Sequence, residues 1–280
     1  MICTSLLKEK LQNLAPHLRL AIKGQDHVIE RVSSVLIRGE LGLSNPGRPR
    51  GSFLFVGPTG VGKTEITLSF SDYLFGPGHV HRFDMSEFQN QSSVGLLLGA
   101  NSAECGLLGK ATNNNKHGVL LFDEMEKAHP LVLDLFLQIL DAGRITLANG
   151  ETKDLSGYYI VLTSNVGASE AMRMEHSGFA AIERTVLKRL DQALRPELVA
   201  RINEKIVFTR LTFAVQREIC EAMIEKERLR LQKLGYDLVI TPSLVEELIR
   251  EGFHRTLGAR PMRNIVERKL QNMVMQRLLN

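Results

Sequence analysis

The residues with the most chemical content lie between Gly57 and Thr64, which read GPTGVGKT. The pattern is G-x-x-x-x-G-K-[ST], in which glycines let the backbone curl until successive N–H groups face inward onto phosphate oxygens. Gly57, Pro58, Thr59, Gly60, Val61 and Gly62 form that cradle. Lys63 can reach the β- and γ-phosphates of a nucleotide, and the Thr64 hydroxyl can ligate magnesium. A second constellation is Asp123-Glu124, two carboxylates closing the apolar run Gly118–Phe122. One acid can join Thr64 in a magnesium shell and the other can polarise a water, the pair that nucleotide hydrolysis requires. Taken alone, an acidic strand end is a solvated surface; beside a phosphate loop it has a substrate to act on.

A phosphate loop needs a strand before it and a helix after it. Phe53–Val56 is a short apolar run suited to a strand buried on both faces, and a helix is expected from Thr64 to about Phe75, closed by Gly76-Pro77-Gly78. Further strands are expected at Val80–Phe83, Gly118–Phe122, Tyr158–Thr163 and Lys205–Phe208. Helical patterns at Val94–Leu98, Pro130–Leu140 and Glu183–Leu194 separate them, the last broken by Arg195-Pro196-Glu197. The class is therefore α/β, with a five-stranded parallel sheet carrying its ligand at the carboxyl ends of the strands. Ahead of the sheet come a helix over Leu6–Leu20, ended or kinked at Pro16, a helix over His27–Gly39, and an exposed connector from Leu43 to Gly51. Asn101–His117 reads as a polar loop, and Asp141–Leu155 as a hairpin turning at Asn149-Gly150.

From Thr212 the pattern turns helical, with helices over Phe213–Leu234, Pro242–Glu251 and Pro261–Leu279 and a short strand at Asp237–Ile240. A domain boundary near Leu211 is expected: residues 1–211 as the large nucleotide-binding domain, with residues 1–50 as its helical lead-in, and 212–280 as a small helical domain.

The chain has 280 residues, 44% of them hydrophobic and 24% charged, enough to bury one sizeable core or a large and a small one. A formal charge of +4 with no block of lysine or arginine reads as a solvated surface before a nucleic-acid footprint. The three cysteines, Cys3, Cys105 and Cys220, are odd in number and far apart, which fits a reducing cytoplasm and no disulfide framework. No run is long enough to span a membrane, and Met1–Leu20 lacks the apolar centre of a signal peptide. His79 and His81 have a metal-like H-x-H spacing, but with no third ligand in sight they read as alternate positions of a strand.

Several blocks then carry a resemblance. Gly24-Gln25-Asp26, Gly51–Thr64, Asp84-Met85-Ser86-Glu87-Phe88, Phe122–Pro130, Thr163-Ser164-Asn165, Arg195-Pro196-Glu197 and Leu257-Gly258-Ala259-Arg260-Pro261 run in the order of the second ATPase module of the Clp-type AAA+ unfoldases, ClpB and ClpA in particular. The chain resembles that module over nearly its whole length. The resemblance implies ATP and Mg2+ as ligands, with Asp123 on the metal and Glu124 on the water. Asn165 matches the residue that positions the attacking water, and Ile22 the one that packs on adenine. Arg201 matches the arginine finger that reaches into a neighbouring subunit's site, with Arg195 the runner-up; Arg260 matches the residue that ties the small domain to the γ-phosphate. A homo-oligomer, normally a hexameric ring, is implied, acting on a protein substrate or a partner AAA+ protein.

Two departures from the family stand out. Its Gly-Tyr-Val-Gly pore loop corresponds here to Gly99–Gly106, about five residues shorter, and no Phe, Tyr or Trp falls between Phe88 and Phe122. The chain also ends where the family usually continues into a further strand or two. The expected function is an ATP-hydrolysing ring protein that remodels a protein partner without the aromatic grip. Two alternatives stay open: an ATP-binding assembly or regulatory module with little turnover, and a nucleic-acid-associated ATPase of the loader type.

Overall fold

The computed structural model describes residues 5–174, 177–253 and 257–279; Cys3 lies outside them. By contacts the chain forms two units, Met1–Gly57 with Gly62–Phe208, and Pro58–Val61 with Thr209–Asn280.

The first unit opens with α1 (Ser5–Gln12), α2 (Leu14–Ala21) and α3 (Asp26–Glu40). The helix expected over Leu6–Leu20, ended or kinked at Pro16, is instead broken at Asn13. Pro16 then falls in the first turn of α2, where its missing N–H costs nothing. Next come β1 (Gly51–Val56), α4 (Lys63–Phe75), β2 (Val80–Asp84), α5 (Ser93–Leu98), α6 (Gly106–Asn113) and β3 (Gly118–Asp123). α6 corrects the expectation of a loop over Asn101–His117. Polar residues dominate that stretch, but Ala111 follows Leu108 by three residues and Leu107 by four, and all three pack on the core, with Leu108 fully buried.

The unit continues with α7 (Pro130–Ala142), the hairpin β4 (Arg144–Thr146) and β5 (Thr152–Asp154), β6 (Tyr158–Ser164), α8 (Ala168–Arg173), α9 (Phe179–Ala193), α10 (Pro196–Arg201) and β7 (Glu204–Val207). α9 begins four residues before the expected Glu183. Arg195-Pro196-Glu197 both ends it and starts α10, because Pro196 is pre-shaped for the first position of a helix. β7 sits one residue earlier than expected. The five main strands are all parallel in the order β2-β3-β6-β1-β7, with β4 and β5 paired separately as an antiparallel hairpin.

β1 lies second from the edge, between β6 and β7, and Phe53, Leu54, Phe55 and Val56 are fully buried. Each such side chain stabilises the fold by about 1.5–3 kcal/mol relative to exposure. Tyr159 on β6 fixes α3 onto the sheet: its hydroxyl lies 3.0 Å from both Leu36 O and Glu40 Oε1, one proton shared between two acceptors. The ring runs so close beneath α3 that a Cβ on Gly39 would stand 2.9 Å from its Cζ.

The second unit packs α11 (Phe213–Lys233), α12 (Pro242–Gly252) and α13 (Met262–Leu279) around Cys220, Ile224, Leu248, Met262, Val266 and Leu270. Thr212 and Thr241 cap α11 and α12 by accepting from Val215 N and Leu244 N. The expected strand at Asp237–Ile240 does not form. Leu238 and Ile240 pack on this helical core, and no second strand is there to pair with them among the described residues. Among the described residues no helix is long and apolar enough to cross a membrane.

Candidate functional site

At the end of β1 the chain turns at Gly57, whose N–H donates to Ser164 O at 3.2 Å and whose φ is 145°. A Cβ there would stand 2.6 Å from Phe208 O, so only glycine passes between the ends of β6 and β7. Gly60 (φ 74°) and Gly62 (φ 110°) carry the curl on to Lys63, the first residue of α4. The first N–H groups of that helix have no acceptor within it and carry its positive end, which is the physical basis of an anion cradle. Ile22, buried at the end of α2, lies beside the loop, its Cγ2 3.8 Å from where a Cβ on Gly62 would be.

Lys63 is buried, at 8% exposure, and its ammonium group donates to Gly57 O and, at 2.8 Å, to Asn165 Oδ1. Thr64 is half-buried behind it. β3 and β6 are neighbours in register, Phe122 opposite Leu162, so the residues just beyond each pair fall side by side. The Thr163 hydroxyl donates to Asp123 Oδ1 and accepts from Glu124 N, the latter at 3.1 Å. Asn165 Nδ2 donates to Glu124 Oε1 at 3.2 Å, and Asn165 N donates to Glu126 Oε1 at 3.0 Å. One short cluster therefore joins Lys63, Asp123, Glu124 and Asn165.

Glu124 is the one non-glycine with positive φ among the described residues, at φ 61° and ψ 52°. That left-handed turn swings its side chain out of line with the strand. Its other oxygen pairs with Lys127, and this hydrogen-bonded partner holds the Lys127 ammonium above its ordinary pKa. Arg82, on β2, donates to Asp123 Oδ2 at 2.5 Å, so a cation already faces the oxygen expected to meet magnesium. Hydroxyl and carboxylate oxygens from Thr64 and Asp123 form a hard donor set that suits Mg2+. Beside Asp123 in register, Asp84 accepts from Ser86, which lowers its carboxyl below the usual range.

Three residues of this cluster had no role from the sequence: Arg82, Glu126 and Thr163. Thr163 could have been reached from strand order, since any polar residue one beyond the β6 partner of Phe122 must sit beside Asp123. Arg82 and Glu126 are reached only through the pairing of β2 with β3 and the turn after Glu124. Glu126 Oε2 is buried without a partner among the described residues.

Arg201 is placed elsewhere. Asn203, two residues on, accepts from Ser52 N at 2.8 Å and donates its own N–H to Ser52 Oγ at 3.0 Å. That ties the end of α10 to the beginning of β1, about 13 Å along the strand from Val56 where the phosphate loop starts. Arg201 donates from Nε to Asp141 and from Nη1 to Glu197 O at 2.7 Å. Arg195 pairs with Asp134. Arg260 is exposed in the second unit, its N–H donating to Leu257 O at 3.2 Å. His79 and His117 stack with ring centroids 5.3 Å apart, and no metal-holding group of His, Cys, Asp or Glu occurs among the described residues.

A family model for the AAA domain (Cdc48 subfamily) matches residues 48–205, and one for the C-terminal, D2-small domain of ClpB protein matches 211–280. The chain belongs to the Clp-type AAA+ family. Among its relatives, Heat shock protein 100 of Trypanosoma brucei brucei is 38% identical over 94% of this chain and 31% of its own length. Chaperone protein ClpB of Aquifex aeolicus is 36% identical over 99% of this chain and 29% of its own. This AAA+ chain thus spans about a third of the length of these relatives. Its fold superposes on the S. cerevisiae Hsp104–ADP complex with a TM-score of 0.89 at 32% identity, over 99% of this chain and 49% of that one. A closed-state structure of Hsp104 with ATPγS and FITC casein gives 0.88 at 31% identity, with the same coverage.

Proposed function

We propose that the chain hydrolyses ATP as a subunit of a ring and uses the cycle to remodel a protein partner. The observation that carries this reading is the separation of two parts of one reaction within a single chain. Lys63, Asp123, Glu124 and Asn165 converge at the carboxyl end of the sheet, whereas Arg201 is fixed at the opposite end of β1. A cation placed there serves another copy's nucleotide and not its own, so the complete site requires at least two copies.

In this reading Gly57, Pro58, Thr59, Gly60, Val61 and Gly62 wrap the triphosphate with backbone N–H groups. Lys63 leaves Gly57 O for the β- and γ-phosphates, and Ile22 lies against the adenine. Thr64 and Asp123 would hold Mg2+, which would supply charge neutralisation on the phosphate oxygens. Glu124, steadied by Asn165, orients a water towards the γ-phosphate and takes its proton. Arg201 of the next copy compensates the charge that builds on the transferred group, as a fixed guanidinium does best. Arg260, on the small domain that begins near residue 212, reports the γ-phosphate to that domain. A hexamer is the ring size the family resemblance implies. The stretch from α5 through α6 carries no aromatic side chain to grip a threaded polypeptide.

The test is phosphate release and mass in solution, with and without ATP. Turnover that rises with protein concentration, falls to background in Glu124→Gln, and is lost in Arg201→Ala with ATP binding retained is the expected result. A monomer that hydrolyses ATP at full rate, or an Arg201→Ala variant that does, contradicts the shared site. Forced unfolding of a tagged substrate by this chain alone contradicts the loss of grip.

A further inference from the structure

Asp141, expected to open the hairpin stretch, lies instead in the last turn of α7, and its carboxylate is the meeting point of two arginines from separate segments. Oδ2 accepts from Arg201 Nε, and Oδ1 lies 3.5 Å from Arg48 Nη2. Beside them is a cavity of about 150 Å³ whose lining includes Arg38, Arg48, Arg50 and Arg201 and no carboxylate. Arg38 is bonded to Ser34 and Arg50 to Glu40, so Asp141 is the anion that serves Arg48 and Arg201 among the described residues.

We infer that Asp141 is a positioning residue for Arg201, fixing its guanidinium so that the other edge faces outward to a neighbouring copy's phosphate. This rests on the reading of Arg201 as the cation supplied between copies. A guanidinium has five N–H donors in one rigid plane. Asp141 takes Nε and Glu197 O takes one on Nη1, which leaves Nη2 without a partner among the described residues. An arginine at a surface, here 32% exposed, otherwise samples many rotamers, and a carboxylate on Nε removes that freedom before a phosphate arrives. The second cation, Arg48, braces the same carboxylate from the other side and offsets the charge it brings to the interface. Asp141 touches neither nucleotide nor water in this scheme; it acts through Arg201.

The experiment mixes two disabled variants. Glu124→Gln keeps Arg201 but cannot activate water, while Arg201→Ala keeps the acids but lacks the cation; mixed in equal amounts they regain ATPase activity. Asp141→Asn, close in shape, is then added to one variant at a time. On the Glu124→Gln copy, which donates Arg201, it lowers the regained kcat by about tenfold with the KM for ATP little changed. On the Arg201→Ala copy it leaves the regained rate within about twofold. Equal losses in both arms mark a structural role, and a rate increase marks a restraint on Arg201; either overturns the inference. If the unmodified pair regains no activity, while wild type hydrolyses ATP, the reading of Arg201 itself fails and Asp141 falls with it.

Discussion

The side-chain oxygen of Asn165 accepts from Lys63 Nζ at 2.8 Å, joining the end of β6 to the first residue of α4. The same amide donates to Glu124 at 3.2 Å, so one residue joins the lysine of the glycine loop to the second acid of the pair. Replacing it should separate binding from chemistry. Asn165→Ala is expected to lower kcat by about a hundredfold, the scale of losing one positioned polar group, while ATP affinity stays within a few-fold. Turnover close to wild type would make the amide a structural tie only.

Glu124 holds a left-handed backbone, which asparagine tolerates far better than glutamine. Both Glu124→Gln and Glu124→Asn should abolish turnover. In nucleotide-free protein, however, the asparagine variant should be the more stable by about 0.5 kcal/mol, since backbone strain is relieved at that one position. Chemical denaturation of the pair measures the difference, and glutamine matching asparagine would show that the turn carries no strain.

Gly39 is needed for contact with the sheet rather than for an unusual dihedral. Alanine there improves helix propensity by about 1 kcal/mol but drives a methyl into the Tyr159 ring. Overpacking at so close an approach costs about 3 kcal/mol, which leaves a net expectation for Gly39→Ala of a loss of about 2 kcal/mol. A thermal melt that rises instead of falling would show that α3 shifts freely on β6.

Acid stability is expected to depend in part on Asp84. Its carboxyl is lowered chiefly by hydrogen bonds from Ser86, with Arg82 and Lys127 adding to the effect, from an ordinary value of 3.8. A group depressed in the folded state stabilises it above the unfolded pKa and loses that contribution as pH falls through the folded one. Stability should therefore decline as pH drops below about 4, and Asp84→Asn should flatten that decline while leaving the neutral range parallel to wild type. Superimposable acid limbs would remove Asp84 from the account.

The strands, the phosphate loop and the Asp123-Glu124 pair are legible in the sequence because each rests on short-range causes. Glycine fixes where the backbone can curl, and apolar runs such as Phe53–Val56 fit only a doubly covered sheet. α6 was harder to see, since Leu107, Leu108 and Ala111 are too few to outweigh polar neighbours until the core they pack on is known. Asp237–Ile240 misled for the opposite reason: a β-like composition forms no strand without a partner to bond.

By itself, then, the sequence determined where the glycine loop and the Asp123-Glu124 pair fall and that parallel strands deliver them, because loop chemistry and hydrophobic period act over a few neighbouring residues. Only the tertiary structure decided who stands beside whom. Strand order set Thr163 against Asp123 and Asn165 between Lys63 and Glu124. The tie between Asn203 and Ser52 carried Arg201 to the far end of β1, into the grasp of Asp141. Those pairings join residues 40 to 151 positions apart, and no local rule of propensity or spacing reaches across such a distance.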